Sequence, residues 1–333
     1  ATLLQHSRLA SAMNSIAHPM TQTVLVTGAT GFIGRTLMQR LLEKRLRVHT
    51  LSRTLPAAGP EQAEGMFFQG DIADPALLAE ACVGVDTVFH LAGYAHVNQH
   101  HTEELQRINV EGTRALLDAA IAAGVRRIVF FSSILADPNL NPEGGAYGRS
   151  KLEAETLLLE AAKAGQIEVC CLRPANVYGL GMKGNLLTMI RLVQRGFLPP
   201  LPVPSAPLSL VGNRDLCEAA LLAAQAPQAN GQVYTVSDGK TYTMKGIEVS
   251  VRRALGLAPR SWHTPMPVFY MAFATLEILG KLLRLANAPG LRSYRALRDG
   301  SVVSSESIQQ DLGYQPAGSL TDELSGILAQ RAK

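Results

Sequence analysis

A chain of 333 residues with 47% apolar side chains can bury a full core, as one large domain or two interlocked ones. The net charge of +4, from 31 Lys and Arg against 27 Asp and Glu, is spread without a basic block and gives a nucleic-acid partner no support. Cys82, Cys170, Cys171 and Cys217 lack metal-ligand spacing and read as reduced, buried thiols of a cytoplasmic protein.

Residues 1–20 are polar and irregular, without the long apolar core of a signal peptide, and read as a disordered extension with Met20 a candidate start. From Thr23 onward, β-type and helical patterns alternate. The strand Val24–Thr27 precedes the helix Phe32–Lys44, and the strands Arg47–Leu51 and Met66–Phe68 lead to the helix Ala76–Cys82. The strand Thr87–Leu91 is followed by the helix Glu103–Ala123, the strand Arg127–Ser132 by the helix Tyr147–Ala164, and the strand Glu168–Leu172 closes the series. Gly124 and Gly165 fall where two of these helices should stop. Such alternation requires a parallel sheet covered by helices on both faces, because each right-handed crossover must pack back on the sheet.

After Pro174 the rhythm changes. Pro199, Pro200, Pro202, Pro204 and Pro207 mark a long irregular connection, and Gln232–Ser237 is the clearest late strand. The expected fold is α/β, a Rossmann-type doubly wound parallel sheet over 21–178 with later returns near 209–240, and a smaller interlocked lobe, mainly substrate-binding, over 179–333. The most apolar run, Pro267–Ala286, is interrupted by Glu277, Lys281 and Arg284, so it is too short and too charged to span a membrane. An amphipathic helix is expected there, packed on its own domain in the preferred reading and lying on a membrane surface in the other.

Two strings carry chemistry. VLVTGATGFIG, Val24–Gly34, ends a strand on glycines at 28, 31 and 34 and opens a helix. That arrangement lets the backbone turn beside a pyrophosphate and aims helix N–H groups at it. In AYGRSKLEAE, Tyr147 and Lys151 are four residues apart and share a helix face. A nearby ammonium favours phenolate, so the lysine is expected to lower the tyrosine pKa toward proton transfer at neutral pH. Ser132 and Ser133 end the preceding strand, at the sheet edge where ligands bind.

The chain resembles the extended short-chain dehydrogenase/reductases, specifically their nucleotide-sugar epimerase and dehydratase group. The similarity covers roughly Thr23 to Ala329. It rests on TGATGFIG (Thr27–Gly34), GDIAD (Gly70–Asp74), HLAG (His90–Gly93), INVEGT (Ile108–Thr113), FSSI (Phe131–Ile134), YGRSK (Tyr147–Lys151) and RPANVYG (Arg173–Gly179). The resemblance implies that Ser133 hydrogen-bonds the substrate oxygen and that Tyr147 exchanges a proton with it as hydride moves at the nicotinamide. Ser132 takes that place if the register slips by one. Lys151 would bind the nicotinamide ribose, with Asn109 in support from the helix behind the site. Gly28, Thr30, Gly31, Phe32, Ile33 and Gly34 would hold the pyrophosphate, and Asp71 and Ile72 the adenine. Leu91, Ala92 and Gly93 would lie near ribose and phosphates, and Pro174 and Val177 along the nicotinamide. The same helices, Glu103–Ala123 and Tyr147–Ala164, form a four-helix seam in the family, which implies a homodimer.

In VHTLSR, Ser52 stands where an NAD-preferring chain carries an acid, and Arg53 follows. An arginine fork suits a 2′-phosphate, so NADP(H) is expected over NAD(H). In the second half, MKGNLLTMIRLVQRG and GSVVSSESIQQDLGYQP are similar to the bacterial surface-polysaccharide branch, where Asn185 would meet a sugar nucleotide. Tyr94 and Asn176 are further substrate candidates. Two departures stand out. Pro207 and Leu208 occupy the place of a basic diphosphate contact, leaving Arg298, Arg295 or Arg292 to supply the charge, and the segment from Ser133 to Tyr147 is short for the group.

The leading expectation is thus 4-keto-sugar reduction or C4 epimerisation. The rival is reduction of an apolar ketone, as in the 3β-hydroxysteroid dehydrogenase-like and dihydroflavonol reductase-like branches, with Pro267–Ala286 walling the pocket. A third reading, a dinucleotide-sensing protein without catalysis, is opposed by the intact Ser133, Tyr147 and Lys151. His90, His96, His100 and His101 have no ligand spacing, so no metal is expected. Asp137, Glu143, Arg149 and Glu153 read as solvated charges.

Overall fold

The computed structural model describes residues 23–54, 65–95, 102–142, 145–203, 205–282, 294, 298 and 300–330. The extension expected over 1–20 lies outside these, as do His96, His100, His101, Glu143, Pro204, Arg292 and Arg295.

The strands are β1 (Thr23–Thr27), β2 (Arg47–Ser52), β3 (Phe67–Gln69), β4 (Thr87–His90), β5 (Arg127–Phe131), β6 (Glu168–Pro174), β7 (Asn176–Tyr178), β8 (Pro207–Gly212), β9 (Gln232–Val236) and β10 (Thr241–Thr243). Seven of them form one sheet in the order β3-β2-β1-β4-β5-β6-β9, every pair parallel. Strand order reverses between β1 and β4, which opens a crevice beyond their carboxyl ends.

Alternate residues of the strands feed opposite cores. Val24, Val26, Phe89 and Val129 pack on one face with Leu37 and Leu41 of α1 (Phe32–Glu43), Leu216 and Ala220 of α7 (Asn213–Gln225), and Ile308 of α10 (Glu306–Leu312). Leu25, Val88, Ile128 and Phe130 pack on the other with Leu78 of α2 (Pro75–Ala81), Leu116 of α4 (Gly112–Ala122) and Leu158 of α5 (Ala146–Lys163). Burial on both faces explains why these strands read as continuous apolar runs.

The helix expected over Glu103–Ala123 is broken. After α3 (Thr102–Leu105) the chain passes through a π-helical segment, Gln106–Glu111, before α4 begins. Strand and helix ends otherwise differ from the sequence reading by a residue or two. Gly124 and Gly165 do end their helices, at φ 73° and 69°.

Three short strands left unresolved by the sequence make a second sheet, β10-β8-β7. A separate core joins it to α6 (Asn185–Gln194), α8 (Met244–Ala254) and α11 (Leu320–Ala329), and α9 (Met266–Leu282) adds Phe269 to that core. Beneath it the buried Asp238 carboxylate accepts hydrogen bonds from Tyr178 Oη at 3.1 Å and Tyr242 Oη at 2.6 Å. Asp215 accepts from the Ala317 N–H at 3.0 Å, which ties the C-terminal segment to α7. The Asn213 amide donates to Phe32 O at 3.2 Å and Thr36 Oγ1 at 2.7 Å, holding the lobe to the start of α1.

Candidate active site

The turn after β1 is built for close approach. Gly28 has φ +75°, and a Cβ there would lie 2.7 Å from the Ala92 nitrogen. A Cβ at Gly34 would lie 2.8 Å from Ala29 Cα. Gly31 is the N-cap of α1, and the first turn has neither a side-chain cap nor an acidic residue. Its dipole and N–H groups therefore suit an anion at the switch point of the sheet. Thr30, Phe32 and Ile33 are half-buried around this turn. The residues fit the pyrophosphate of a dinucleotide.

At the end of β2 the buried Ser52 hydroxyl donates to Thr54 O at 2.7 Å, while Arg53 is exposed. Burial alone would raise the Asp71 carboxyl. The Ala73 N–H, the 3.2 Å pair with Arg107 and the charge of Arg53 outweigh it and hold that carboxyl below its usual range. Ile72 is buried against Gly112, so its side chain belongs to the core and only its backbone is left to meet a ligand.

Beyond β4, the Leu91 and Ala92 N–H groups donate to Thr27 O and Thr27 Oγ1, each at 3.2 Å. Gly93 comes next, and a Cβ on it would lie 3.3 Å from Lys151 Nζ and 3.2 Å from Asn109 Oδ1. The structure thus brings the carboxyl end of β4, the π-helical segment and the first turns of α5 to one point.

There, the Tyr147 phenol lies beside the Ser133 hydroxyl. The neighbouring Ser132 is buried, with no hydrogen-bond partner for its hydroxyl among the described residues, and so does not meet the phenol. Lys151 is 4% exposed, donates to Phe131 O at 2.9 Å and sits 4.6 Å from the centre of the Phe130 ring. Asn109 accepts from the Tyr94 N–H at 2.7 Å and donates to Tyr94 O at 3.1 Å and Ser150 Oγ at 2.9 Å. Ser150 in turn donates to Tyr147 O at 2.9 Å. The π-helical turn is what aims Asn109 at both neighbours.

The electrostatics differ from the expected lowering of the tyrosine pKa. Burial pushes the Tyr147 phenol up to about 12, and the neighbouring Ser133 hydroxyl only partly opposes it. Burial lowers Lys151 to about 8, against the charge of Glu155. Helical spacing puts the two groups on one face, but both are desolvated, and desolvation favours the neutral form of each.

Residues outside the quoted motif roles complete the corner. Glu155 is buried one turn beyond Lys151 and pairs with Arg173 at 2.7 Å, which also reaches Asp137 at 3.2 Å. Asp137 is therefore paired rather than simply solvated. His90 is fully buried between Thr27 Oγ1 at 2.7 Å and Thr113 Oγ1 at 2.9 Å. The Thr113 hydroxyl gives its proton to Asn109 O at 2.6 Å, so His90 donates through Nε2 and accepts through Nδ1. Burial, with the Lys151 charge, lowers its pKa to about 3 and keeps it neutral. The i,i+4 spacing of Glu155 to Lys151 was a usable signal; the reach of Arg173 to Asp137 was not.

On the substrate side, Pro174 is buried, Val177 and Tyr94 are half-buried, and Asn176 and Asn185 are exposed. Leu208 is buried inside the small sheet, so it presents no group to a diphosphate. Arg298 is exposed, and Arg149 and Glu153 lie on the surface of α5.

Residues 24–237 match the model of the NAD dependent epimerase/dehydratase family. The chain belongs to that family. The UDP-glucose 4-epimerase of Vibrio cholerae is 32% identical over 279 residues, covering 77% of this chain and 83% of the relative. The 3β-hydroxysteroid dehydrogenase/Δ5→4-isomerase of Mycobacterium tuberculosis is 30% identical over 259 residues, covering 70% of this chain and 69% of that protein. Among solved structures, MoeE5 in complex with UDP-glucose and NAD shares the fold at a TM-score of 0.69 and 24% identity, over 91% of this chain and 96% of its own. This member of the family is accordingly an NAD(P)-dependent oxidoreductase or epimerase of the extended short-chain dehydrogenase/reductase type.

Proposed function

We propose that this enzyme acts in the cytoplasm on a nucleotide-linked sugar, exchanging hydride between the sugar C4 and NADP(H), as a 4-keto-sugar reductase or a C4 epimerase. The observation that carries this reading is the convergence of Tyr147, Ser133 and Lys151 at the point where Gly93 and the glycine turn meet. The nicotinamide, when bound, supplies or accepts hydride. Ser133 holds the substrate oxygen against the phenol. Tyr147, with its pKa raised to about 12, is protonated at neutral pH and gives its proton to the C4 oxygen as the C–O bond becomes single. The Lys151 ammonium then offsets the phenolate charge until solvent returns the proton.

Arg53, exposed at the end of β2 with no acid at Ser52, is the residue we assign to the 2′-phosphate. Tyr94, Asn176 and Asn185 are assigned to the sugar nucleotide, with Arg298 the candidate for its diphosphate. A homodimer would use the outer faces of α4 and α5, which flank a shallow groove of about 460 Å³.

A second reading has specific support. Leu208 stands buried where a basic contact was sought, and the mycobacterial relative is named as a hydroxysteroid enzyme. Titration with UDP and with a steroid ketone separates the two. Saturable UDP binding that competes with turnover supports the sugar; binding of the ketone without UDP affinity overturns it.

A further inference from the structure

Helix α9 is apolar on both its inward and its outward side, unlike a helix at a water-facing surface. Its inward side carries Met266, Phe269, Phe273 and Gly280, together with Glu277, the only charged residue between 261 and 280 other than a histidine at 263. Its outward side is apolar along its length: Met271 and Ile278 are each 67% exposed, with Val268, Tyr270, Leu276 and Leu279 beside them. A surface helix in water turns an apolar stripe inward and a polar face outward. Here the outward face is apolar too, and apolar patches of this kind mark contact surfaces.

The sequence around α9 indicates what it meets. Between residues 252 and 299 there are eight Lys or Arg against two acidic residues, although the whole chain carries only +4. In the sequence, Arg253 and Arg260 precede the helix, Lys281 falls in its last turn and Arg284 comes two residues after it. Trp262, 60% exposed, stands just before the first turn. An exposed apolar face within a basic stretch of sequence, with an exposed Trp just before it, matches the interface of a bilayer rich in anionic lipid. At 17 residues, and with no described helix long and apolar enough to cross a membrane, α9 has the form of a helix lying along the surface.

We propose that the outward face of α9 docks this enzyme on an anionic membrane surface, the helix lying in the headgroup plane with Met271 and Ile278 inserted and the exposed Arg253 drawn to the lipid phosphates. The proposal goes beyond the reaction proposed above and does not depend on its substrate.

The test is co-sedimentation of the full chain with phosphatidylcholine vesicles, with and without phosphatidylglycerol, at low and high salt. The wild type is expected to pellet with the anionic vesicles and to be released by salt. Met271→Glu combined with Ile278→Glu should weaken that partitioning about tenfold or more. Its thermal midpoint and its cofactor affinity should be unchanged. Arg253→Glu, at an exposed position away from the apolar stripe, should weaken partitioning about fivefold and keeps the test valid should the double variant misfold. Wild-type protein that stays in the supernatant with anionic vesicles at low salt overturns the proposal. So does partitioning that neither variant alters. A lipid-free dimer that the double variant splits, without vesicle binding by the wild type, would assign the face to a second copy of the chain instead.

Discussion

The corner around Tyr147 buries polar groups, whereas the outer helix of the C-terminal lobe exposes apolar ones. At the corner, Lys151, Asn109, His90 and Glu155 are buried, and each has a named hydrogen-bond or ion-pair partner. The helices that carry them turn Arg114, Asp118, Glu153 and Glu160 to water. On α9 apolar residues line the outward side as well as the inward one, and the one acid is half-buried. A buried polar web is costly unless every member is satisfied, so it restricts each side chain to one geometry, which proton transfer requires. An exposed apolar stripe restricts nothing within the chain; its energetic return comes only from a surface outside it.

If that contrast is right, substitutions in the two regions separate cleanly. Tyr147→Phe should lower turnover by about 10²- to 10⁴-fold and leave cofactor affinity and vesicle partitioning as they are. Steady-state kinetics with a cofactor titration checks this, and near-wild-type turnover would remove the phenol from its role. Asp238→Asn lies outside both regions but under the lobe. It weakens two hydrogen bonds to a buried charge and should cost about 2 kcal/mol in urea unfolding without changing KM. A loss of turnover at unchanged stability would instead make the Tyr178–Asp238–Tyr242 cluster part of the site.

Arg53→Ala should raise the KM for NADPH about tenfold with little effect on NADH, as expected for losing one charge-assisted contact to a phosphate. An unchanged NADPH/NADH ratio would mean that Arg53 does not meet a 2′-phosphate. The smallest effect concerns pH. Lys151 loses its proton near pH 8, so kcat should fall as pH rises through that value. Glu155 raises the Lys151 pKa by its charge, and Glu155→Gln removes that help, so the alkaline limb should move to lower pH. A limb that stays in place would leave Glu155 a purely structural partner of Arg173.

What could be read from residues alone follows physical range. The glycine turn and the Tyr147/Lys151 pair are short-range patterns, legible because backbone sterics and helical spacing act within a few residues. Ser133 against Ser132 was open because one residue of register decides which hydroxyl leaves the strand toward the crevice. The direction of the Tyr147 shift was missed because desolvation depends on what covers the phenol, which spacing does not report. Asp137 was misread for the same reason: its partner, Arg173, arrives on another strand. The second sheet was hidden because its strands are only three to six residues long and one begins with a proline, Pro207. The run over Pro267–Ala286 is apolar nearly all round, so periodicity could not tell which side meets the protein.

The central claim is that the phenol beside Ser133 and Lys151 moves a proton while hydride reaches the carbon bearing that oxygen. Its most direct test uses NADPH deuterated at C4 with a UDP-4-keto-hexose, following the sugar product by mass spectrometry for the wild type and Tyr147→Phe. One deuterium on the sugar in the wild type, and almost none over the same interval in a variant that still binds cofactor, is the predicted result. Labelling at the wild-type rate by Tyr147→Phe would contradict it.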